Sequence, residues 1–161
     1  MQPIDGALVR ASFVNVSKKE RASIPVPDLD RDWERLEYLG WRDPKRPRVG
    51  FVIAQVDGEL VGVALQQTEA SARTRPQCSW CEDVTLPNDV VSFNARRSGA
   101  AGRKGDTVST LVCAEFECPV NVRTPPATRP AGFDVETSTA RRIAALDAHV
   151  EGFVRVVRDG S

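Results

Sequence analysis
The chain has 161 residues, enough for one domain that buries a core of its own. Its 22 basic and 22 acidic residues cancel, which implies no whole-molecule attraction to nucleic acid or to an anionic membrane. No apolar run approaches the roughly 20 residues of a membrane-spanning helix, and Met1-Gln2-Pro3-Ile4-Asp5 lacks the basic and apolar regions of a secretion signal. A reducing cytoplasm is therefore the expected compartment.

Asp5 is placed to cap a short helix carrying Ala7, Leu8, Ala11 and Val14. Ser17-Lys18-Lys19-Glu20 reads as a capping box that opens a second, and Ile24-Pro25-Val26-Pro27 stops it, because each proline removes a backbone donor. Residues 28–37 carry Asp28, Asp30, Asp32, Glu34 and Glu37 against Arg31 and Arg35, the pattern of a solvated face. Asp30 or Asp32 could start a further short helix with Trp33, Leu36 and Leu39 on one side, ending at Gly40 as a C-terminal cap.

Beyond the polar stretch at Trp41-Arg42-Asp43-Pro44 the period changes. Residues 49–56 and 60–67 are β-rich runs joined at Asp57-Gly58, a strong hairpin signal. Their alternation is imperfect, as expected of a sheet covered on both faces. Residues 71–76 form a basic small-residue loop, and Leu86-Pro87-Asn88-Asp89 forms a turn. Residues 90–96 and 107–112 are the third and fourth predicted strands. The segment between them, 98–106, holds three glycines with Arg103 and Lys104, and suggests a mobile hairpin tip. Arg96, Arg97, Arg103 and Lys104 make this region a candidate contact surface. Residues 124–132 hold three prolines and are expected to be irregular. Ser138 then caps a final amphipathic helix, with Ile143, Leu146, Val150, Phe153 and Val157 at spacings of three and four.

The four cysteines fall as two close pairs, Cys78-x2-Cys81 and Cys113-x4-Cys118. Two thiolate pairs make a closed tetrahedral shell for structural zinc, whereas a catalytic zinc keeps a position open. The alternatives are four buried free thiols, or a redox C-x2-C that would leave the second pair unexplained. One pair, a β-hairpin, then a second pair at the start of a helix is a treble-clef zinc finger in outline. Backbone amides near Ser79-Trp80 and Ala114-Glu115 are expected to point at the sulfurs.

Nothing else argues catalysis. His149, the single histidine, lies in the predicted last helix and reads as a surface or half-buried helix residue. Residues 99–104 lack the spacing of a phosphate-binding loop. A non-enzymatic protein without a small-molecule substrate is the expectation.

Trp33 to Pro44 (W-E-R-L-E-Y-L-G-W-R-D-P), the Cys78–Cys81 knuckle, Gly99-Ala100-Ala101-Gly102-Arg103 and Thr110-Leu111-Val112-Cys113-Ala114 with Cys118 together resemble the C-terminal treble-clef zinc-finger domain of elongation factor G-binding proteins, the fusidic acid resistance family. The resemblance implies a structural zinc on Cys78, Cys81, Cys113 and Cys118. It also implies a domain that binds elongation factor G and promotes its release from drug-stalled ribosomes. Lys104 falls where those proteins use a lysine to contact the factor. Ser79 stands at a knuckle position where they present an aromatic, with Trp80 beside it, and Thr107 stands where they carry a larger side chain.

The expected fold is α+β: an antiparallel β-sheet with a treble-clef zinc finger, short N-terminal helices and a long C-terminal amphipathic helix. It is read as one domain over 1–161, with a helical segment at about 1–28, the sheet and finger at 29–137 and the last helix at 138–159. The expected partner is elongation factor G through Lys104, Arg103, Trp80, Ser79 and Thr107. The alternative is direct binding to ribosomal RNA, which the zero net charge and the absence of aromatics among residues 96–104 disfavour. A third reading, a thiol oxidoreductase, requires metal-free cysteines.

Overall fold
The computed structural model describes residues 1–69 and 74–160, so part of the loop read at 71–76 lies outside the described residues. Five strands, β1 (Tyr38–Arg42), β2 (Val49–Val56), β3 (Glu59–Gln67), β4 (Val90–Arg96) and β5 (Thr107–Cys113), form one antiparallel sheet in sequence order. Two short helices, α1 (Gly6–Ala11) and α2 (Lys18–Ser23), precede the sheet. The five-residue α3 (Gly99–Arg103) lies between β4 and β5, α4 (Cys118–Asn121) follows the second cysteine pair, and α5 (Val135–Asp159) closes the described chain. This is the expected α+β arrangement.

The helix starts follow local chemistry. The Asp5 carboxylate accepts from Leu8 N–H at 2.8 Å, and Ser17 and Glu20 form the reciprocal capping box. At the β2–β3 turn both Asp57 (φ 54°) and Gly58 (φ 81°) are left-handed, which matches the strand twist and suits Asp-Gly.

The sheet is covered on both faces, which explains the broken alternation of β2. Phe51 and Ile53 join Ile4, Val9, Phe13, Ile24, Leu39 and Trp41 in a core beneath α1 and α2. Val52, Ala54 and Val56 join Leu146, Val150, Val154 and Val157 of α5 and the cysteine cluster in a second core. Residues 12–14 occupy the edge of β3 that β4 does not reach: Gly62 N–H donates to the Ser12 carbonyl, and Val14 N–H to the Gly62 carbonyl.

Three sequence expectations change. Residues 33–35 form one turn of 3₁₀ helix, but Leu39 and Gly40 lie in β1, not in a helix. Leu39 and Trp41 face the first core and Tyr38 the second, a period of two that a short apolar run does not distinguish from a helix. The 98–106 segment is not a free tip. It contains α3, and the Ser98 N–H and hydroxyl and the Arg97 guanidinium donate to the Val157, Arg158 and Val156 carbonyls at the end of α5. Finally, α5 begins at Val135, earlier than Ser138, because Asp134 caps it by accepting from Thr137 N–H at 3.0 Å and Thr137 Oγ1 at 2.6 Å. Val154, outside the predicted stripe, is fully buried.

Candidate metal centre
The first cysteine pair sits on a turn before β4, and the second spans the end of β5 and the first residue of α4. The β4–β5 hairpin therefore connects the two knuckles. Cys78 Sγ lies 3.6 Å from Cys118 Sγ, Cys81 Sγ lies 3.6 Å from Cys113 Sγ, and all four sulfurs fall within 4.8 Å of one another. A tetrahedron with zinc–sulfur bonds of 2.3 Å has edges of about 3.8 Å, whereas a disulfide brings its sulfurs to about 2.05 Å. The cluster fits a closed four-thiolate zinc site. Such a site holds structure in place and leaves no position for substrate.

The electrostatics point the same way. Hydrogen bonds from Cys113, Cys118 and Cys81 push the Cys78 thiol toward ionisation, while Cys118, which donates to its neighbours from a buried position, is pushed up. Four sulfurs this close cannot all ionise unaided; a divalent cation removes the conflict.

Neighbouring donors soften the negative charge. Trp80 N–H donates to Cys78 Sγ at 3.4 Å and Cys81 N–H at 3.5 Å, as expected for the first knuckle. The second knuckle differs: Ala114 N–H donates to the Asp89 carbonyl and Glu115 N–H to the Glu117 carboxylate. Asn121 of α4 takes their place. Its buried amide donates to Cys113 Sγ at 3.3 Å and reaches Cys81 Sγ at 3.8 Å. Sequence reasoning missed Asn121, and its position three residues after Cys118, on the first turn of α4, was the signal available.

The knuckles are keyed to the rest of the fold. Phe116, left-handed at φ 59°, enters a slot floored by Gly40 and Gly50 and stacks on Phe93 at 5.5 Å. Arg42 covers the pair, its guanidinium 4.5 Å from the Phe93 centroid, and donates to the Ala114 carbonyl at 2.7 Å. On the other side, the half-buried His149 meets the Trp80 carbonyl at 3.0 Å through Nδ1. A carbonyl only accepts, so Nδ1 carries the proton. Glu37 and Arg123 form a two-bond ion pair, at 2.7 and 3.0 Å, between the start of β1 and the end of α4. All of these contacts locate; none activates a nucleophile.

The surface residues separate into two groups. Arg103, Lys104 and Thr107 are exposed together at the hairpin end beside α3, and Ser79 is exposed on the first knuckle. Trp80, expected beside them, is not on that surface. It is 2% exposed, with its ring edge-on to Tyr38 at 5.3 Å and tilted on Phe153 at 5.6 Å. Alternation around the turn sends Trp80 inward when Ser79 points out, and so it serves the core.

The family model described as FBP C-terminal treble-clef zinc-finger matches residues 8–157. No curated protein matches the chain. The solved structure of the fusidic acid resistance protein FusC is similar in fold, with a TM-score of 0.56 at 14% identity, over 75% of this chain and 53% of that one. The chain thus spans about half the length of that protein. Among the described residues no helix is long and apolar enough to cross a membrane.

Proposed function
Because the chain belongs to the FBP C-terminal treble-clef zinc-finger family, we propose that it is a zinc-stabilised binding protein, not an enzyme, whose cytoplasmic partner is translation elongation factor G. In this reading binding aids release of the factor from the ribosome and contributes to fusidic acid tolerance. The fold likeness to a fusidic acid resistance protein supports the assignment.

The observation that carries the reading is the fixed presentation of Arg103 and Lys104. The zinc site holds one end of the β4–β5 hairpin, and the C-terminal end of α5 holds the other through Ser98 and Arg97. Among the described residues neither Arg103 nor Lys104 takes part in an ion pair. Two unpaired cations on a rigid support suit an acidic patch on a protein partner, at small ordering cost.

The test is retention of purified elongation factor G by the immobilised protein, with and without nuclease, at two salt concentrations. Retention should survive nuclease, and Lys104→Glu should weaken it about tenfold or more while the exposed Lys45→Glu leaves it unchanged. Failure to retain the factor under every condition removes the reading. A second reading, ribosomal RNA, is favoured by one observation: Arg96, Arg97 and Arg103 line a single cleft of about 360 Å³ with Glu20 as its one acid. It predicts retention that nuclease abolishes and that falls steeply with salt.

A further inference from the structure
The four ligand cysteines are not equally buried. Cys78, Cys113 and Cys118 are fully buried, whereas Cys81 retains 6% exposure. That exposure opens into a cleft of about 680 Å³, walled by Val84, Leu86, Thr124, Pro125 and Ser138. Cys81 is the one cysteine that lines it.

Hydrogen bonding separates Cys81 from Cys78 and Cys113. Cys78 accepts two backbone N–H groups, at 3.4 and 3.5 Å, and Cys113 accepts the Asn121 amide at 3.3 Å. Cys118 accepts no N–H group among the described residues, but it is sealed beside the buried Tyr38 phenol and only burial protects it. Cys81 receives only the far reach of Asn121, at 3.8 Å. Each N–H···S bond withdraws charge from sulfur and lowers its nucleophilicity, so reactivity needs both access and few such bonds. Exposure and the cleft select Cys81, and among the cysteines other than the sealed Cys118 it is also the most weakly hydrogen-bonded.

We infer that Cys81 is a modification site through which peroxides and soft electrophiles enter the zinc centre, and that Cys113 is its resolving partner. The Cys81 thiolate attacks one oxygen of the peroxide; the O–O bond breaks, leaving a Cys81 sulfenic acid and releasing hydroxide. Cys113, with its sulfur 3.6 Å away, then attacks the Cys81 sulfur. The S–S bond forms, the S–O bond breaks and a second hydroxide leaves. Two electrons pass from the two thiolates to the peroxide, which ends as water after protonation. One sulfur is thereby withdrawn from each knuckle, and the connection between the two ends of the β4–β5 hairpin loosens while the sheet keeps its own core.

Zinc-loaded protein is treated with limiting hydrogen peroxide, zinc release is followed with a metallochromic chelator, and the first disulfide is mapped by mass spectrometry. A glutamate-specific protease cuts at Glu115 and Glu117 and so separates Cys113 from Cys118, while fragmentation assigns Cys78 against Cys81. The expected first product is Cys81–Cys113, released together with zinc, and the first adduct of substoichiometric N-ethylmaleimide is on Cys81. A first disulfide between any other pair, or equal alkylation of all four cysteines, overturns the inference. Val84→Trp, which fills the cleft from an exposed position, should slow zinc release several-fold without disturbing the ligands. An unchanged rate in that variant overturns the cleft as the route.

Discussion

Phe116 of the second knuckle rests directly on Gly40 of β1: a Cβ built on the glycine would lie 2.6 Å from the phenylalanine Cβ and 2.7 Å from its Cγ. The same ring spans to Gly50 on β2, where an added Cβ would lie 2.7 Å from Cζ. These two glycines share the face of the sheet that carries Val52 and Ala54, because Gly40 pairs with Val52 and Gly50 lies two residues before it. The metal centre is thus seated on the sheet through a glycine-floored slot as well as through its ligands.

Gly40→Ala should destabilise the fold by about 1–3 kcal/mol, since the phenylalanine and the sheet backbone cannot both yield without repacking. Urea unfolding of the zinc-loaded protein measures it. Gly152→Ala, on α5 with nothing near its Cβ direction, is the control and should be neutral or slightly stabilising. Equal effects at the two positions would dissolve the slot argument.

Removing the metal should cost several kcal/mol of stability and unseat Trp80, because the first knuckle that positions its ring would lose its centre. Tryptophan emission should shift to longer wavelength on adding a strong chelator. The shift should vanish in Trp80→Phe, leaving Trp33 and Trp41 as the remaining emitters. If Trp80→Phe shifts as the parent does, the knuckle does not govern the burial of that ring.

Asn121→Asp should lower zinc affinity about 10- to 100-fold. The substitution keeps the size of the side chain but replaces an amide donor with a carboxylate 3.3 Å from the Cys113 sulfur. Competition with a chelator of known affinity reads the change directly, and an unaltered affinity would reduce Asn121 to a packing residue.

Asp57 gives a pH signature. Hydrogen bonds from Arg158 and then Arg155 hold its carboxyl below the ordinary aspartate range. A carboxyl depressed in the folded state adds stability that is present above its unfolded pKa and lost as pH falls through the folded one. The parent should therefore be slightly more stable than Asp57→Asn at neutral pH, and the two should converge in acid. Asparagine tolerates the left-handed backbone here, so the comparison isolates the charge. Thermal unfolding at neutral and acid pH checks it; a gap that persists in acid points away from the ion pairs to α5.

Much of the fold was legible wherever the deciding interactions lie within a few residues. The caps at Asp5 and Ser17 and the Asp57-Gly58 turn are local chemistry, and they emerged where expected. The strands at 49–56 and 90–96 did as well. The four-cysteine set was legible for the same reason: two close pairs leave little freedom in what can be gathered around one ion. The region 33–42 was not, because a short run with mixed apolar spacing satisfies a helix and a strand equally well. There β1 pairs with β2 and lays Gly40 under Phe116, some seventy residues away in the chain, contacts that no spacing within 33–42 announces.

The amino-acid sequence by itself therefore determined the ligand set, the metal it suits, the principal hairpin and the amphipathic stripe of the last helix. These depend on covalent spacing, which the chain carries in any conformation. Only the tertiary structure decided that Trp80 faces inward, that Asn121 serves the sulfurs, and that Arg103 and Lys104 stand on a tethered helical turn instead of a free tip. Those outcomes depend on which distant groups meet: Tyr38 and Phe153 around the indole, α4 against the two knuckles, and the last carbonyls of α5 against Ser98. Packing between segments far apart in the chain sets them, and no local pattern encodes it.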